Sequence, residues 1–461
     1  MKDRIKTLLT YEPSDTIIST EGWVRTKRDS KNVCFLELND GSTLKGLQIV
    51  VNKDNFNNCD ILSDIATGTA IKCEGKLVSS QGGNQAIELD CSSITIVGLC
   101  PSDYPLQKKR HTIEYLREIA HLRARTNLIG AAMRVRNTLA YAVHSFFQEN
   151  GFVYVNTPLI TGSDCEGAGQ MFQVTTLDLN NPPKTEEGEI DYAKDFFGKK
   201  TSLTVSGQLE GETYAMALKN IYTFGPTFRA ENSLTSRHLA EFWMIEPEMA
   251  FCDINLNMEV AESFLKYIFQ AVLDKNGEDL AFFDQFVQKG LIETLKHVIA
   301  SPFVHITYTK AVEILSPHNS EFEYPIEWGA ELQTEHEKYL TEVVYNSPVI
   351  VTDYPKGVKA FYMKLNEDNK TVRGMDVLVP RLGEIIGGSE READLDKLLS
   401  RMKEMNLEEK DYSWYLDLRR YGSAPHAGFG LGFERVVQYV TGISNIRDVI
   451  PYPRYVKSAE F

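Results

Sequence analysis

Apolar and polar residues alternate in short runs through the N-terminal part of the chain. The runs at 16–28, 32–39, 43–52, 68–80 and 85–97 read as strands separated by turn residues. Asp40-Gly41, between two alternating runs, is a hairpin signal. The apolar stretch 55–66 predicts a small helix after the third strand. From 100 the pattern changes, and Pro101, Pro105 and the basic run Lys108-Lys109-Arg110-His111 read as a linker leading into an arginine-rich helical stretch. From 128, Ala132, Val135, Leu139, Val143 and Phe146 recur at helical spacing, and Asn150-Gly151 is a stop signal. Strand-like runs follow at 202–206, 219–228, 240–252, 348–353, 359–365 and 372–379. Between them, 256–273 and 279–300 read as two helices with Phe264, Ile268, Phe286, Leu291 and Leu295 on their packing faces. The polar stretch 178–200, which contains proline and glycine, reads as a surface excursion.

Five short strands with a helix after the third match the small barrel of the oligonucleotide-binding fold. A ligand-free barrel of similar size fits the same pattern. The expected fold is therefore α+β: a five-stranded barrel over 1–100, a linker or hinge over 101–127, and a larger body over 128–461 with a helical insertion at about 256–300. A chain of 461 residues with 43% hydrophobic positions has ample material for such cores, which excludes disorder as its general state.

Charge refines this picture. Lys and Arg number 49 against 64 Asp and Glu, a formal net charge of −15, which taken globally argues against a nucleic-acid partner. The first 110 residues, however, hold 14 of each sign, so the whole excess lies in 111–461. An electrically distinct N-terminal segment points to separate work for it. The seven cysteines, Cys34, Cys59, Cys73, Cys91, Cys100, Cys165 and Cys252, form no Cys-x-x-Cys pair, and the nine histidines show no metal spacing. Reduced thiols and no zinc site are expected. No apolar run approaches membrane-spanning length and the first residues lack a leader-like hydrophobic stretch, so no membrane association and a cytoplasmic location are expected.

The chain contains neither Gly-x-x-x-x-Gly-Lys-Ser/Thr nor a Gly-x-Gly-x-x-Gly between a strand and a helix, so a nucleotide would need another cradle. Two stretches offer one. Phe224-Gly-Pro-Thr-Phe-Arg-Ala-Glu-Asn-Ser-Leu-Thr-Ser-Arg-His-Leu-Ala-Glu-Phe-Trp-Met-Ile-Glu-Pro-Glu248 reads as strand, polar loop, strand. Arg229 ends the first strand, Arg237 and His238 lie beyond the loop, and Glu246 and Glu248 alternate along the return. Arginine suits phosphate because its planar fork donates paired hydrogen bonds and stays charged. Gly428-Phe-Gly-Leu-Gly-Phe-Glu-Arg435 carries alternating glycines, which let backbone approach a ligand, into an apolar helix with Arg435 in its first turn. Either stretch alone fits an ordinary hairpin or a flexible turn.

Together they resemble motifs 2 and 3 of the class II aminoacyl-tRNA synthetases. The helix ending at Gly151, followed by Phe152-Val-Tyr-Val-Asn-Thr-Pro158, resembles motif 1. A barrel preceding this core is similar to subclass IIb, the aspartyl, asparaginyl and lysyl enzymes, and the resemblance covers essentially the whole chain. It implies an antiparallel sheet flanked by helices, ATP bound between two arginines, and a homodimer with Pro158 at the interface. Position by position, it implies Arg229 on the α-phosphate and Arg435 at the γ-phosphate end as the catalytic cations. It further implies Glu231 on the adenine amino group, Phe242 beneath the adenine, and Arg237 and His238 on the pyrophosphate. Asp376 and Glu384 match the carboxylates that hold Mg2+ on the phosphates, an oxygen-donor set of the kind magnesium prefers.

The same resemblance narrows the amino acid. In Ser206-Gly207-Gln208-Leu209-Glu210-Gly211, which resembles an amino-acid-binding segment that includes Ser206, Gln208 remains available for the substrate's main-chain end, while Gly211 stands where the aspartyl enzymes carry a lysine toward the substrate carboxylate. Glu246 replaces an aspartate, Arg391 matches the donor to the side-chain oxygen, and Glu166 matches the loop glutamate that senses the ammonium. One donor, Arg391, facing one unbalanced acceptor, Glu246, suits L-asparagine. In the barrel, Phe35 matches a base-stacking ring, Gln48 a base-reading amide, and Arg25, Lys27, Arg28 and Lys31 supply local cations for the anticodon. The implied activity is ATP-dependent ligation of asparagine to tRNA(Asn). An aspartate–tRNA ligase, an ammonia-using asparagine synthetase and a non-catalytic RNA-binding paralogue remain as alternatives. The retained Arg229 and Arg435 weigh against the last.

Overall fold

The computed structural model describes residues 3–82, 85–109, 111–165 and 171–461. Its chain divides into two compact units, Met1–Arg134 with Phe461, and Val135–Glu460.

In the first unit, β1 (Ser14–Asp29), β2 (Val33–Asn39), β3 (Leu47–Asn52), β4 (Ala70–Ser79) and β5 (Ile87–Gly98) close into a barrel in the order β1-β2-β3-β5-β4. All pairs are antiparallel except β3 with β5. The period-2 pattern does what it predicts: Leu36, Leu38, Ile49, Val51, Ile71 and Leu89 point inward and are buried. A short helical turn, Cys59–Asp64, follows β3 and seats Leu62 in the core. The Asp40-Gly41 signal gives a longer connection than a two-residue turn. Gly41 has φ +81°, but the Asp40 carboxylate captures the amides of Ile5 and Ser42, and β3 begins only at Leu47.

In the second unit, an eight-stranded sheet runs in the order β12-β13-β14-β15-β16-β11-β10-β6. Its strands are β6 (Val153–Tyr154), β10 (Asn220–Phe228), β11 (Glu241–Ala250), β12 (Val304–Thr307), β13 (Val349–Pro355), β14 (Thr371–Val379), β15 (Gly383–Glu390) and β16 (His426–Gly432). The six central strands pair antiparallel, and only the edge strands β12 and β6 run parallel to their neighbours. A second, three-stranded sheet joins β7 (Ile160–Thr161), β9 (Thr201–Leu203) and β8 (Gln173–Val174). The helix Asn127–Glu149 ends at Gly151, where φ is +76°. Its Phe147 stacks on Tyr222 and meets Phe264 of the helix Ile254–Lys275. That helix is capped by Asp253, lies on the sheet through Phe264 and Phe429, and donates from Asn257 to the Gly428 carbonyl at 3.0 Å.

Three expectations need correction. The 279–300 helix is two, Gly277–Phe286 and Leu291–Ala300, broken at Gly290 in a left-handed conformation with φ +79°. Phe286, at the break, is consequently 67% exposed rather than packed, whereas Leu291 and Leu295 are buried. The run 359–365 is no strand. Lys356–Val358 turns the chain, and single rungs at Met363–Arg391 and Leu365–Val372 wrap it around the sheet, burying Phe361. The 202–206 run is strand only to Leu203, which leaves Ser206 in the turn before the helix Gln208–Leu218.

The 178–200 excursion is turn-rich and is moored by Asp195, which accepts from Thr175 Oγ1 and the amides of Thr176 and Phe196. All seven cysteines are free thiols. No helix among the described residues is long and apolar enough to cross a membrane.

Candidate active site

The hairpin of β10 and β11 carries most of the predicted ATP-site residues, and its register aligns Thr223 with Glu246 and Thr227 with Phe242. Arg229 closes the hairpin by donating its amide to the Ala240 carbonyl at 3.0 Å, which holds its guanidinium 5.5 Å from the centre of the Phe242 ring. That distance is cation–π range. In the loop, His238 lies 3.5 Å from the Glu231 carboxylate and is held by Ser233 and Thr235. Arg237 turns the other way, its Nη1 2.5 Å from Thr334 Oγ1.

β16 leads into the helix Phe433–Thr441. Glu434 is buried there, accepts the Trp243 amide at 2.8 Å and pairs with Arg136 at 2.7 Å, which locks this helix onto β11. Arg435, one residue on, is left to reach across β15. Its Nη1 donates to the Glu384 carbonyl at 3.1 Å and lies 3.6 Å from the Glu384 carboxylate.

Asp376 on β14 and Glu384 on β15 come together over Gly387. A Cβ at Gly387 would stand 3.2 Å from Glu384 Oε1 and 3.6 Å from Asp376 Oδ1, so glycine keeps the space between the carboxylates clear. Lys359 pairs with Asp376 at 2.7 Å. Glu337, from the short helix Thr334–Lys338, accepts the Glu384 amide at 3.1 Å. Burial, together with the neighbouring Glu384 and Asp376 carboxylates, pushes its pKa up to about 7. Among the described residues no set of three or more His, Cys, Asp and Glu side chains is arranged to hold a metal. Asp376 and Glu384 form a two-carboxylate, all-oxygen pair of the kind magnesium takes together with phosphate oxygens and water, with Lys359 on both Asp376 oxygens in this structure.

Behind the hairpin lies a buried polar pocket. Glu246, 4% exposed, accepts from the Ser206 hydroxyl with one oxygen, and from the Gly207 amide at 3.0 Å and Thr223 Oγ1 at 2.9 Å with the other. Arg391 is not a lone donor. Glu248 takes its Nε and Nη2 at 3.2 and 2.5 Å, and Ser389 takes its Nη1 at 2.7 Å. Glu212 accepts from Gln208 Nε2 at 3.1 Å with one oxygen, and from Arg419, the Tyr415 hydroxyl and His426 with the other. Burial works against the Glu212 carboxylate, yet Arg419, His426 and Arg391 outweigh it and hold its pKa well below the usual range. Burial also pushes Glu248 upward, against the pull of Arg391. Gly211 faces this pocket: a Cβ there would start 3.8 Å from both Glu248 Cγ and Thr223 Cγ2.

The second unit therefore brings Arg229, Glu231, Phe242, Glu246, Asp376, Glu384 and Arg391 onto β10, β11, β14 and β15 or next to their ends, with Arg435 in the helix that follows β16, the strand between β15 and β11. The expected picture of one unbalanced acceptor and one free donor gives way to a hydrogen-bonded Glu246 and an Arg391 already paired. Glu248, Glu212, Glu337, Thr334 and Lys359 had no assigned role. Two acids two apart in the otherwise apolar run Phe242–Ala250 were the visible signal for Glu248. Glu166 lies outside the described residues. Pro158 is exposed, beside the exposed apolar Val153, Tyr154, Leu159 and Ile160.

In the barrel, Arg28 and Phe35 face each other across β1 and β2, the guanidinium 5.9 Å from the ring centre. With Gln48 they line a depression of about 200 Å³. The Gln48 amide donates to Glu88 at 2.8 Å, which fixes its orientation.

Residues 112–456 match the family model described as tRNA synthetases class II (D, K and N), and residues 18–97 match that of the OB-fold nucleic acid binding domain. The asparagine–tRNA ligase of Acetivibrio thermocellus is 62% identical over 444 residues, 96% of each chain. That of Treponema denticola is 59% identical over 469 residues, 99% of each. The asparaginyl-tRNA synthetase of Pyrococcus horikoshii, solved with asparaginyl-adenylate, superposes with a TM-score of 0.84 at 32% identity, covering 96% of each chain.

Proposed function

The chain belongs to the class II tRNA synthetases of the D, K and N group, and from that premise we propose that it is an asparagine–tRNA ligase. It activates L-asparagine with ATP to give asparaginyl-adenylate and pyrophosphate, then passes the acyl group to the 3′-terminal ribose of tRNA(Asn).

The charge balance of the buried pocket carries the choice of amino acid. Glu248 already binds Arg391, Glu212 lies 3.9 Å from it, Glu246 stands two residues from Glu248 on β11, and Gly211 adds no cation. A carboxamide brings two N–H donors toward Glu246 and an oxygen toward Arg391. A carboxylate brings acceptors only. Each buried group left repelled or unpaired costs about 1–3 kcal/mol, which supports discrimination without an editing domain.

Activation needs positioned charge more than a base. The asparagine carboxylate attacks the α-phosphorus, the α–β phosphoanhydride bond breaks, and pyrophosphate leaves. Arg229 holds the α-phosphate where negative charge grows, above the Phe242 ring that carries the adenine. Glu231 accepts from the adenine amino group. Arg435, Arg237 and His238 hold the departing phosphates. Asp376 and Glu384 would hold magnesium, which neutralises phosphate charge when bound. Ser206 and Gln208 take the main-chain end of the amino acid, and Glu166 its ammonium.

The barrel over 1–100 reads the anticodon through Arg28, Phe35 and Gln48, 101–127 serves as hinge, and 128–461 is the catalytic body with 256–300 as an insertion. The exposed apolar strip around Pro158 supports a homodimer formed there. The cytoplasm, where charged tRNA is consumed, is the compartment of this activity. Pyrophosphate exchange with asparagine and aspartate measured side by side tests the reading. Exchange with asparagine alone is expected, and exchange with aspartate alone would overturn it.

A further inference from the structure

The helix Thr334–Lys338 touches the phosphate side of the site at two points, and neither contact is explained by the roles assigned so far. Thr334 accepts the Arg237 guanidinium, 2.5 Å away, and Glu337 accepts the amide of Glu384, 3.1 Å away. The helix is itself anchored from behind. His336 is buried, takes the Gln333 amide on Nδ1 at 3.0 Å and donates from Nε2 to the Tyr324 carbonyl at 2.7 Å. Glu335 accepts the amides of Glu323 and Tyr324 at 2.9 and 2.8 Å. Thr334 and Glu337 thus project from a fixed base.

The Glu384 contact meets a local need of the sheet. The β14–β15 ladder slips between Val377 and Leu378, at the rung that carries Glu384, and a slipped rung disrupts the regular pairing of its amides. Glu337 supplies an acceptor there. Gly383 is what lets it in: φ is +92°, and a Cβ at that position would stand 2.2 Å from Glu337 Oε2. With Arg435 on the Glu384 carbonyl, the peptide groups on both sides of Glu384 are held, and with them the direction of its side chain.

We propose that Thr334 and Glu337 are positioning residues for the phosphate end of the nucleotide, Thr334 through Arg237 and Glu337 through the main chain of Glu384. The inference rests on the ATP-site roles given above for Arg237 and Glu384, and acts on ATP and magnesium rather than on the amino acid.

The test is pyrophosphate exchange by the full chain and by Thr334→Val, Thr334→Ser, Glu337→Ala and Glu337→Gln. Saturation is measured separately for ATP, the amino acid and magnesium. Thr334→Val should raise KM for ATP by about tenfold with KM for asparagine unchanged, because one charge-assisted hydrogen bond is lost, and Thr334→Ser should restore it. Glu337→Ala should weaken magnesium-dependent ATP binding measured by calorimetry without turnover and raise the magnesium concentration needed for half-maximal rate, and Glu337→Gln, whose amide oxygen still accepts the Glu384 N–H, should largely preserve both. ATP and magnesium dependences identical to wild type would overturn the proposal. So would an equal loss in all three substrates with no rescue by Ser or Gln, the signature of a merely structural role. A wild-type enzyme that exchanges with aspartate instead would refute the amino-acid assignment alone, since the same comparison run with aspartate still decides the ATP-side proposal.

Discussion

Arg391 and Glu248 meet as a two-pronged pair, Nε 3.2 Å from one carboxylate oxygen and Nη2 2.5 Å from the other, with both side chains almost wholly out of solvent. The pair changes what Arg391 offers a ligand. A free buried guanidinium would draw a carboxylate strongly; one already neutralised offers directed N–H groups with little net charge. That favours a neutral carboxamide.

Changing Glu248→Gln should therefore move the preference toward aspartate. With Glu212, 3.9 Å away, left as its neighbouring carboxylate, Arg391 presents more positive charge to the pocket, and the asparagine-to-aspartate ratio of kcat/KM should fall by at least about tenfold, one lost charge-assisted contact. Parallel exchange assays read the ratio directly, and an unchanged value would remove Glu248 from the discrimination.

Glu246→Gln should weaken asparagine selection and also destabilise the fold. Both carboxylate oxygens accept protein donors, so an amide NH2 must face the Ser206 hydroxyl or the Gly207 and Thr223 donors. About 1–3 kcal/mol of unfolding free energy should be lost. Denaturant titration measures that cost independently of activity.

Arg229→Ala should slow adenylate formation by about a hundred- to a thousandfold, the usual effect of removing one preorganised donor from developing charge. Binding of tRNA should be retained, so filter binding and exchange assayed on the same preparation separate a catalytic loss from a folding loss.

Stability should fall as pH drops below the ordinary histidine range. Burial lowers the pKa of His336 from 6.5, and its Nδ1 must stay unprotonated to accept the Gln333 amide. A depressed folded-state pKa gives stability that is present above 6.5 and is lost as pH falls toward the folded value. Melting temperature recorded from pH 7.5 downward should show this slope, and His336→Gln should flatten it.

Phe35→Ala should weaken tRNA binding by about 1–3 kcal/mol, the worth of one stacked base. Asparagine-dependent exchange, which uses no tRNA, should not change. A variant that loses exchange as well would mean that Phe35 acts through the fold rather than by stacking.

Local pattern revealed much of this molecule. The five barrel strands, the long helix stopping at Gly151 and the β10–β11 hairpin follow from alternation, helical spacing and turn residues within a few positions of each other. What escaped depends on distant partners. Glu248 and Arg391 are far apart in sequence and meet only because β11, β16 and β15 are neighbours. The run 359–365 alternates like a strand, yet its rungs lie on either side of it, so it folds around the sheet. Phe286 fits a helical face until Gly290 breaks that helix. Glu337 sits in a polar stretch, and only the absent Cβ of Gly383 makes room for it.

The strand order has a consequence for how the chain emerges during synthesis. β11 and β15 are made before β16, yet each pairs with β16 and not with the other. Without residues 426–432 nothing pairs β11 with β15, so the strands bearing Arg229 and Glu246 have no ladder to those bearing Asp376 and Glu384. Arg435 follows directly after the strand that joins them. A chain that stops before β16 therefore carries Glu246, Asp376 and Glu384 but no assembled site. Open edges of this kind pair with other chains, so β16 both joins the two halves of the site and covers the edges that a chain without it would present.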